Sequence, residues 1–211
     1  MSGAQIVIPL PGEGQTSGAR PEPRKPAPGP GPRVIGLDLA AGRSGVALPD
    51  GTTLAICEPK IKGKRTLLAD LDRMDHITSE IERHLREQPV DLAVIEDYTP
   101  GIRSAAAHRL AEISGNVRLA CHRAGAAVAL VNTMHLKIYA TGTAKAEKRD
   151  MSMAAYKRTG LEFPTDDECD AWWLRAMGLD RLGHPLVAMP KNRRAALDKV
   201  AWPDLTRRET N

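Results

Sequence analysis

Residues 33–182 predict an α/β domain: a mixed five-stranded sheet flanked by helices, in the order βββαβαβα. Three observations carry that expectation. Two short, unbroken apolar runs, VIGLDLA at 34–40 and DLAVIE at 91–96, have the pattern of strands buried on both faces. An Asp50-Gly51 turn separates two short strand patterns. Apolar residues at three-and-four spacing form a helical stripe from Leu67 to Leu85.

The elements follow in chain order. Val34 to Ala40 is the first strand. Ser44 to Leu48 and Thr52 to Cys57, joined through Pro49-Asp50-Gly51, form a hairpin, so the first three strands are expected to be antiparallel neighbours. Thr66 caps a helix whose stripe is Leu67, Leu71, Met74, Ile77 or Thr78, Ile81 and Leu85. Asp91 to Glu96 is the fourth strand. A helix from about Ser104 to His122 places Leu110, Ile113, Val117 and Cys121 on one side. Ala126 to Val131 is the fifth strand, and closing helices complete the domain. This is also the order of the ribonuclease H-like fold.

The flanks differ in composition. Residues 1–32 hold eight Pro and six Gly, with little that can pack, and are expected to be a disordered tail. Residues 183–211 are expected to be a basic C-terminal extension; Lys191, Arg193, Arg194, Lys199, Arg207 and Arg208 lie in it. The chain carries a net charge of +4, mildly basic and compatible with a polyanionic partner. Positive charge is clustered: Lys60, Lys62, Lys64 and Arg65 form one run, and Lys137 to Arg158 holds six Lys or Arg against Glu147 and Asp150. Such runs suit phosphate contacts that read shape rather than sequence. No apolar run reaches the ~18 residues that span a membrane. No signal peptide is evident, and three widely spaced cysteines show neither zinc nor redox spacing. A cytoplasmic location is expected.

The carboxylates carry the chemistry. Asp38 sits near the end of the first strand and Glu96 at the end of the fourth. A carboxylate there is costly to desolvate without a partner, and functional groups of α/β sheets gather at the carboxyl ends of strands. Thr165 and Glu168 fit a capping box at the start of a last long helix, which accounts for Asp166, Asp167 and Glu168 as ordinary first-turn acids. Asp170 lies a turn further in and is not covered by that explanation. Asp167, Asp170, Ala171 and Leu174 share one helical stripe, which puts two acids on the packing side. Clustered carboxylates repel, and a hard cation relieves the repulsion.

Five segments together resemble the RuvC-type Holliday junction resolvases, especially their phage-encoded relatives. They are VIGLDLAAGRSGVAL at 34–48, LAVIEDY at 92–98, LAEISGNVRLACHRAG at 110–125, LKIYATGTAKAEKRDM at 136–151 and TDDECDAWWLRAMG at 165–178. The resemblance implies that Asp38, Glu96, Asp167 and Asp170 are metal ligands and catalytic residues, with Asp166 an alternative to Asp167 and Asp97 a competitor of Glu96. It implies a basic loop before the last helix in which Lys145 and Lys148 match family positions, with Lys137 a further match. Arg149, Lys62, Lys64 and Arg65 join them as expected DNA contacts. It also implies a homodimer, with the 104–122 helix as interface, acting on branched DNA such as four-way junctions. The loop AAGRSG lacks the family's Ser/Thr-rich sequence, and Tyr98 is only an offset match to an aromatic wedge.

Phosphodiester hydrolysis needs an activated water and a stabilised leaving oxyanion, and two Mg²⁺ or Mn²⁺ ions about 4 Å apart supply both. Four acids suit two such cations. The expected activity is therefore a metal-dependent, structure-selective endodeoxyribonuclease resolving Holliday junctions by paired nicks. The alternatives are a broader flap or fork endonuclease and a non-catalytic branched-DNA-binding protein. An actin- or sugar-kinase-like ATPase needs two duplicated halves, for which the chain lacks room.

Overall fold

A computed structural model of the chain describes residues 31–40, 42–57, 66–97 and 105–205. Most of the expected N-terminal tail, the expected DNA contacts Lys62, Lys64 and Arg65, Tyr98, and the end of the C-terminal extension lie outside the described residues.

The domain has the ribonuclease H-like α/β architecture. Strands β1 (Val34–Asp38), β2 (Arg43–Ala47), β3 (Thr53–Cys57), β4 (Leu92–Asp97) and β5 (Ala127–Asn132) form one sheet in the order β3-β2-β1-β4-β5. The hairpin strands β1, β2 and β3 are antiparallel neighbours, whereas β4 is parallel to both β1 and β5. Helix α1 (Leu67–Glu87) makes the crossover from β3 to β4, and α2 (Ala105–Arg123) makes the one from β4 to β5. Then come α3 (Thr133–Thr141), α4 (Lys148–Thr159), α5 (Asp166–Arg181) and the short α6 (Lys191–Arg194).

Each face of the sheet owns a core, because side chains alternate along a strand. Val34, Leu92 and Val94 join α3, α4 and α5 on one face. Ile35, Leu37, Ala93 and Ile95 join α1 and α2 on the other. Residues 183–205 belong to the same compact unit, with Val187, Ala196, Leu197 and Val200 buried in the α5-side core.

Two glycines let α5 lie directly on the strands. A Cβ at Gly36 would collide with the Ala171 carbonyl oxygen, and one at Gly45 with the Asp167 carbonyl oxygen. No larger residue fits at either point without moving backbone. This close approach brings the first turns of α5 to the ends of β1 and β4.

Two expectations need correction. The stripe of α1 was expected to begin at Leu67, yet Leu67 is 76% and Leu71 46% exposed; burial starts with Arg73 and Ile77. A helix of 21 residues is about 32 Å long, against about 20 Å for the strands it covers, so its first turns overhang the sheet. The segment read as a basic loop is largely helical. The Asn132 side chain accepts a hydrogen bond from the Met134 N–H to start α3, and Gly142 ends it with φ 94°. Glu147 and Asp150 then form a capping box for α4. Lys137 is thus on α3 and Lys148 and Arg149 on α4, leaving only Lys145 in the turn between them.

Candidate metal centre

The register of the sheet sets the first pair of acids side by side. Gly36 pairs with Val94 and Leu37 with Ile95, so Asp38 and Glu96 emerge together at the carboxyl ends of parallel strands. Both lie on the α5 face, by alternation from Val34 and Val94; Asp97 points to the other face. Asp170 arrives from α5, one turn beyond its N-cap Thr165. Ligand oxygens of Asp38, Glu96 and Asp170 all lie within 4.8 Å of one another, and all three residues are partly buried.

Electrostatics mark this trio. Burial holds the Asp38 carboxyl well above the usual carboxylate range, and the charges of Glu96, Asp170 and Asp167 push it the same way. Asp170 is pushed up to about 7, first by burial and then by the charge of Glu96, with Lys148 opposing. Burial also raises Glu96, against the Thr133 hydroxyl that donates to its Oε1 and the positive charge of Lys137. Three carboxyls packed together disfavour their charged forms. Among the described residues none of the three has an ion-pair partner.

The other expected residues fall elsewhere. Asp167 is ion-paired with Arg43, which projects from the start of β2. Asp166 is 3.4 Å from Lys148. Neither joins the trio, although the charge of Asp167 is felt by all three acids. The capping box is only half formed. Thr165 Oγ1 accepts from the Glu168 N–H, while the Glu168 carboxylate is buried and turned to the hydroxyls of Thr53 and Thr165. Of the expected DNA contacts, Lys137 and Lys148 stand beside the acids, and Lys145 and Arg149 are exposed on the same α3–α4 unit.

Sequence reasoning missed Thr133 and Arg43. A signal for Thr133 existed: β5 ends at Asn132, in register with Asp97, so the next residue stands at the same sheet end as Glu96. Arg43 sits at the start of the second strand, and no spacing rule connects it to a helix more than 120 residues later.

The donor set fits a hard divalent cation. Carboxylate oxygens are the preferred ligands of Mg²⁺ and Mn²⁺, and a cation among these three removes both the repulsion and part of the desolvation cost. Lys137 and Lys148 oppose part of that repulsion from beside the cluster, and among the described residues neither forms an ion pair with the three acids; Lys148 is ion-paired with Asp166. Free Cys121 and Cys169 are buried, with thiols that burial pushes up to about 12, so neither is a nucleophile or soft-metal ligand.

Fold and acids together define a ribonuclease H-like domain with a carboxylate cluster at the ends of its central parallel strands. No protein-family model and no curated protein matches the chain. Among solved structures, the chain is similar to RuvC of Thermus thermophilus, with 18% identity and a TM-score of 0.54 over 75% of this chain and 99% of that one. It is also similar to T. thermophilus RuvC in complex with a Holliday junction substrate, with 15% identity and a TM-score of 0.57 over the same shares. At these identities the likeness is one of fold, and it falls on the family that the sequence motifs resemble. Among the described residues, no helix is long and apolar enough to cross a membrane.

Proposed function

We propose that the protein is a metal-dependent, structure-selective endodeoxyribonuclease that resolves Holliday junctions and other branched DNA by paired nicks. The observation that carries this reading is the trio Asp38, Glu96 and Asp170, drawn together within 4.8 Å from three separate elements and left without a cationic side chain among them. Stability alone gives no reason to gather three partly buried acids, whereas a catalytic site for polyanion hydrolysis does.

In this reading Asp38, Glu96 and Asp170 hold Mg²⁺ or Mn²⁺. Divalent ions there supply an acidified water and a positive field for the developing oxyanion. Thr133 orients Glu96 through the hydrogen bond to Oε1. Lys137 and Lys148, beside the acids, hold the phosphates that flank the scissile bond, and Lys145 and Arg149 extend that contact along α3 and α4. Asp167 serves a second ion only if Arg43 gives it up. Paired nicks require two sites, which a two-fold dimer through α2 would provide.

The test is cleavage of a synthetic four-way junction beside a flap, a fork and a linear duplex, with Mg²⁺ or Mn²⁺. Symmetric nicks in the junction support the proposal. Cutting only flaps or forks removes the resolvase reading but keeps the metal site, and no cleavage of any branched substrate removes the enzyme.

A further inference from the structure

Asp167 stands beside the acid trio without joining it, and the backbone fixes it there. Gly45 pairs with Asp38 across the antiparallel β1–β2 ladder, so their Cα atoms are about 5 Å apart. A Cβ at Gly45 would collide with the Asp167 carbonyl oxygen. Asp167 therefore lies against the strand next to Asp38, and Asp170 is its i+3 neighbour on α5.

Arg43 takes the Asp167 carboxylate. Strand β2 runs antiparallel to β1, so its first residue, Arg43, lies at the sheet end where Asp38 emerges. Side chains alternate along a strand and Gly45 faces α5, so Arg43 faces α5 as well. From there Arg43 Nε donates to Asp167 Oδ2, and among the described residues Asp167 is its one ion-pair partner. The Arg43 side chain is 41% exposed and that of Asp167 14%, which puts the pair at the mouth of the centre. The acids next to Asp167 and Glu96 in the chain are already engaged or turned away. Asp166 is bridged to Lys148, Glu168 is turned to Thr53 and Thr165, and Asp97 points to the other face.

We infer that Arg43 stands in for a second metal ion, so that the centre takes one divalent cation, on Asp38, Glu96 and Asp170. Four acids at one sheet end would otherwise suit two hard cations about 4 Å apart. A guanidinium stays charged at any working pH, and its planar fork matches a carboxylate, so the charge of Asp167 is met permanently. A second cation would have to take Asp167 from Arg43 and then stand against its like charge. The positive field that such an ion would bring is built into the chain instead.

This inference rests on the metal-centre reading, and the test separates the two. Bound Mn²⁺ is counted by electron paramagnetic resonance, in which a lone ion and a coupled pair also give different spectra. Wild type should bind about one Mn²⁺ per chain, with the lone-ion spectrum, and Arg43→Lys, which keeps the charge, should do the same. Arg43→Gln should bind about two, with the coupled spectrum, and Arg43→Gln with Asp167→Asn should return to about one. Thermal melting checks that each variant is folded. A coupled pair on wild type overturns the role of Arg43 whether or not Arg43→Gln folds, and so does a lone ion on folded Arg43→Gln; either result leaves the trio as the metal centre. Absence of Mn²⁺ binding by wild type overturns both readings.

Discussion

Helix α5 carries two inward-facing acids about 15 Å apart, and they live in opposite surroundings. Asp180, 2% exposed, accepts at Oδ2 from the Tyr139 hydroxyl at 2.9 Å and from Arg194 Nε at 3.2 Å, and its Oδ1 is ion-paired with Arg194 Nη2 at 2.9 Å. Every charge there is answered, and the C-terminal segment is tied to α5 in the process. Asp170, nearer the N-terminus, meets Asp38 and Glu96, which share its sign. The first acid holds the fold together; the second weakens it unless something positive arrives. Burial of a carboxylate therefore says little by itself, and the sign of its neighbours separates structure from site.

Substitution is the strongest way to break this comparison. Asp170→Asn or Asp38→Asn should lower junction cleavage about a thousandfold or more, the effect of losing several kcal/mol of charge stabilisation in the transition state. DNA binding should survive, and a variant that still cuts would place the chemistry elsewhere. Asp180→Asn should do the reverse. Arg194 is half exposed and re-solvates, so the loss is that of the hydrogen bonds to a charged buried acceptor, about 2 kcal/mol, or roughly 4–8 °C in melting temperature for a domain of this size, with metal affinity unchanged.

The pH dependence of stability sharpens the contrast further. Asp170 has a folded pKa of about 7 against an ordinary 3.8, so between those values the folded state holds more protons than the unfolded state. The resulting stabilisation is complete on the acid side of that window and is lost as pH rises through about 7. Metal-free protein should therefore lose about 2 kcal/mol between roughly pH 5 and pH 8, partly screened by solvent. Asp170→Asn should flatten that profile in thermal melts, as should saturating Mn²⁺; a profile equally steep in wild type and variant would detach Asp170 from the effect. The smallest expected change is at Thr133→Val, which frees Glu96 to rotate and should weaken Mn²⁺ binding about tenfold with little loss of stability.

Much of the fold was legible because its signals are local. The apolar runs around Ile35 and Val94, the Asp50-Gly51 turn and the capping at Thr66 and Thr165 each specify their element without help from distant residues. The strand-borne acids were legible for the same reason: a charge ending a buried strand is conspicuous. Asp170 stood out because capping does not explain it. Long-range pairing was not legible. Nothing near Asp167 in the sequence announces Arg43, and the turn of α5 that presents Asp170 to the sheet swings Asp167 toward β2. The helical character of 133–159 was hidden by its basic composition, although Asn132, Gly142 and the Glu147–Asp150 box were present as stop and start signals.

Calorimetric titration of Mn²⁺ into wild type, Asp170→Asn and Asp180→Asn, each melted metal-free at about pH 8, tests the central claim most directly. Wild type and Asp180→Asn should bind the ion; Asp170→Asn should lose that binding yet melt above wild type, while Asp180→Asn melts below it. Equal Mn²⁺ binding by Asp170→Asn and wild type, or none by wild type, would contradict the assignment of Asp38, Glu96 and Asp170 as a metal centre.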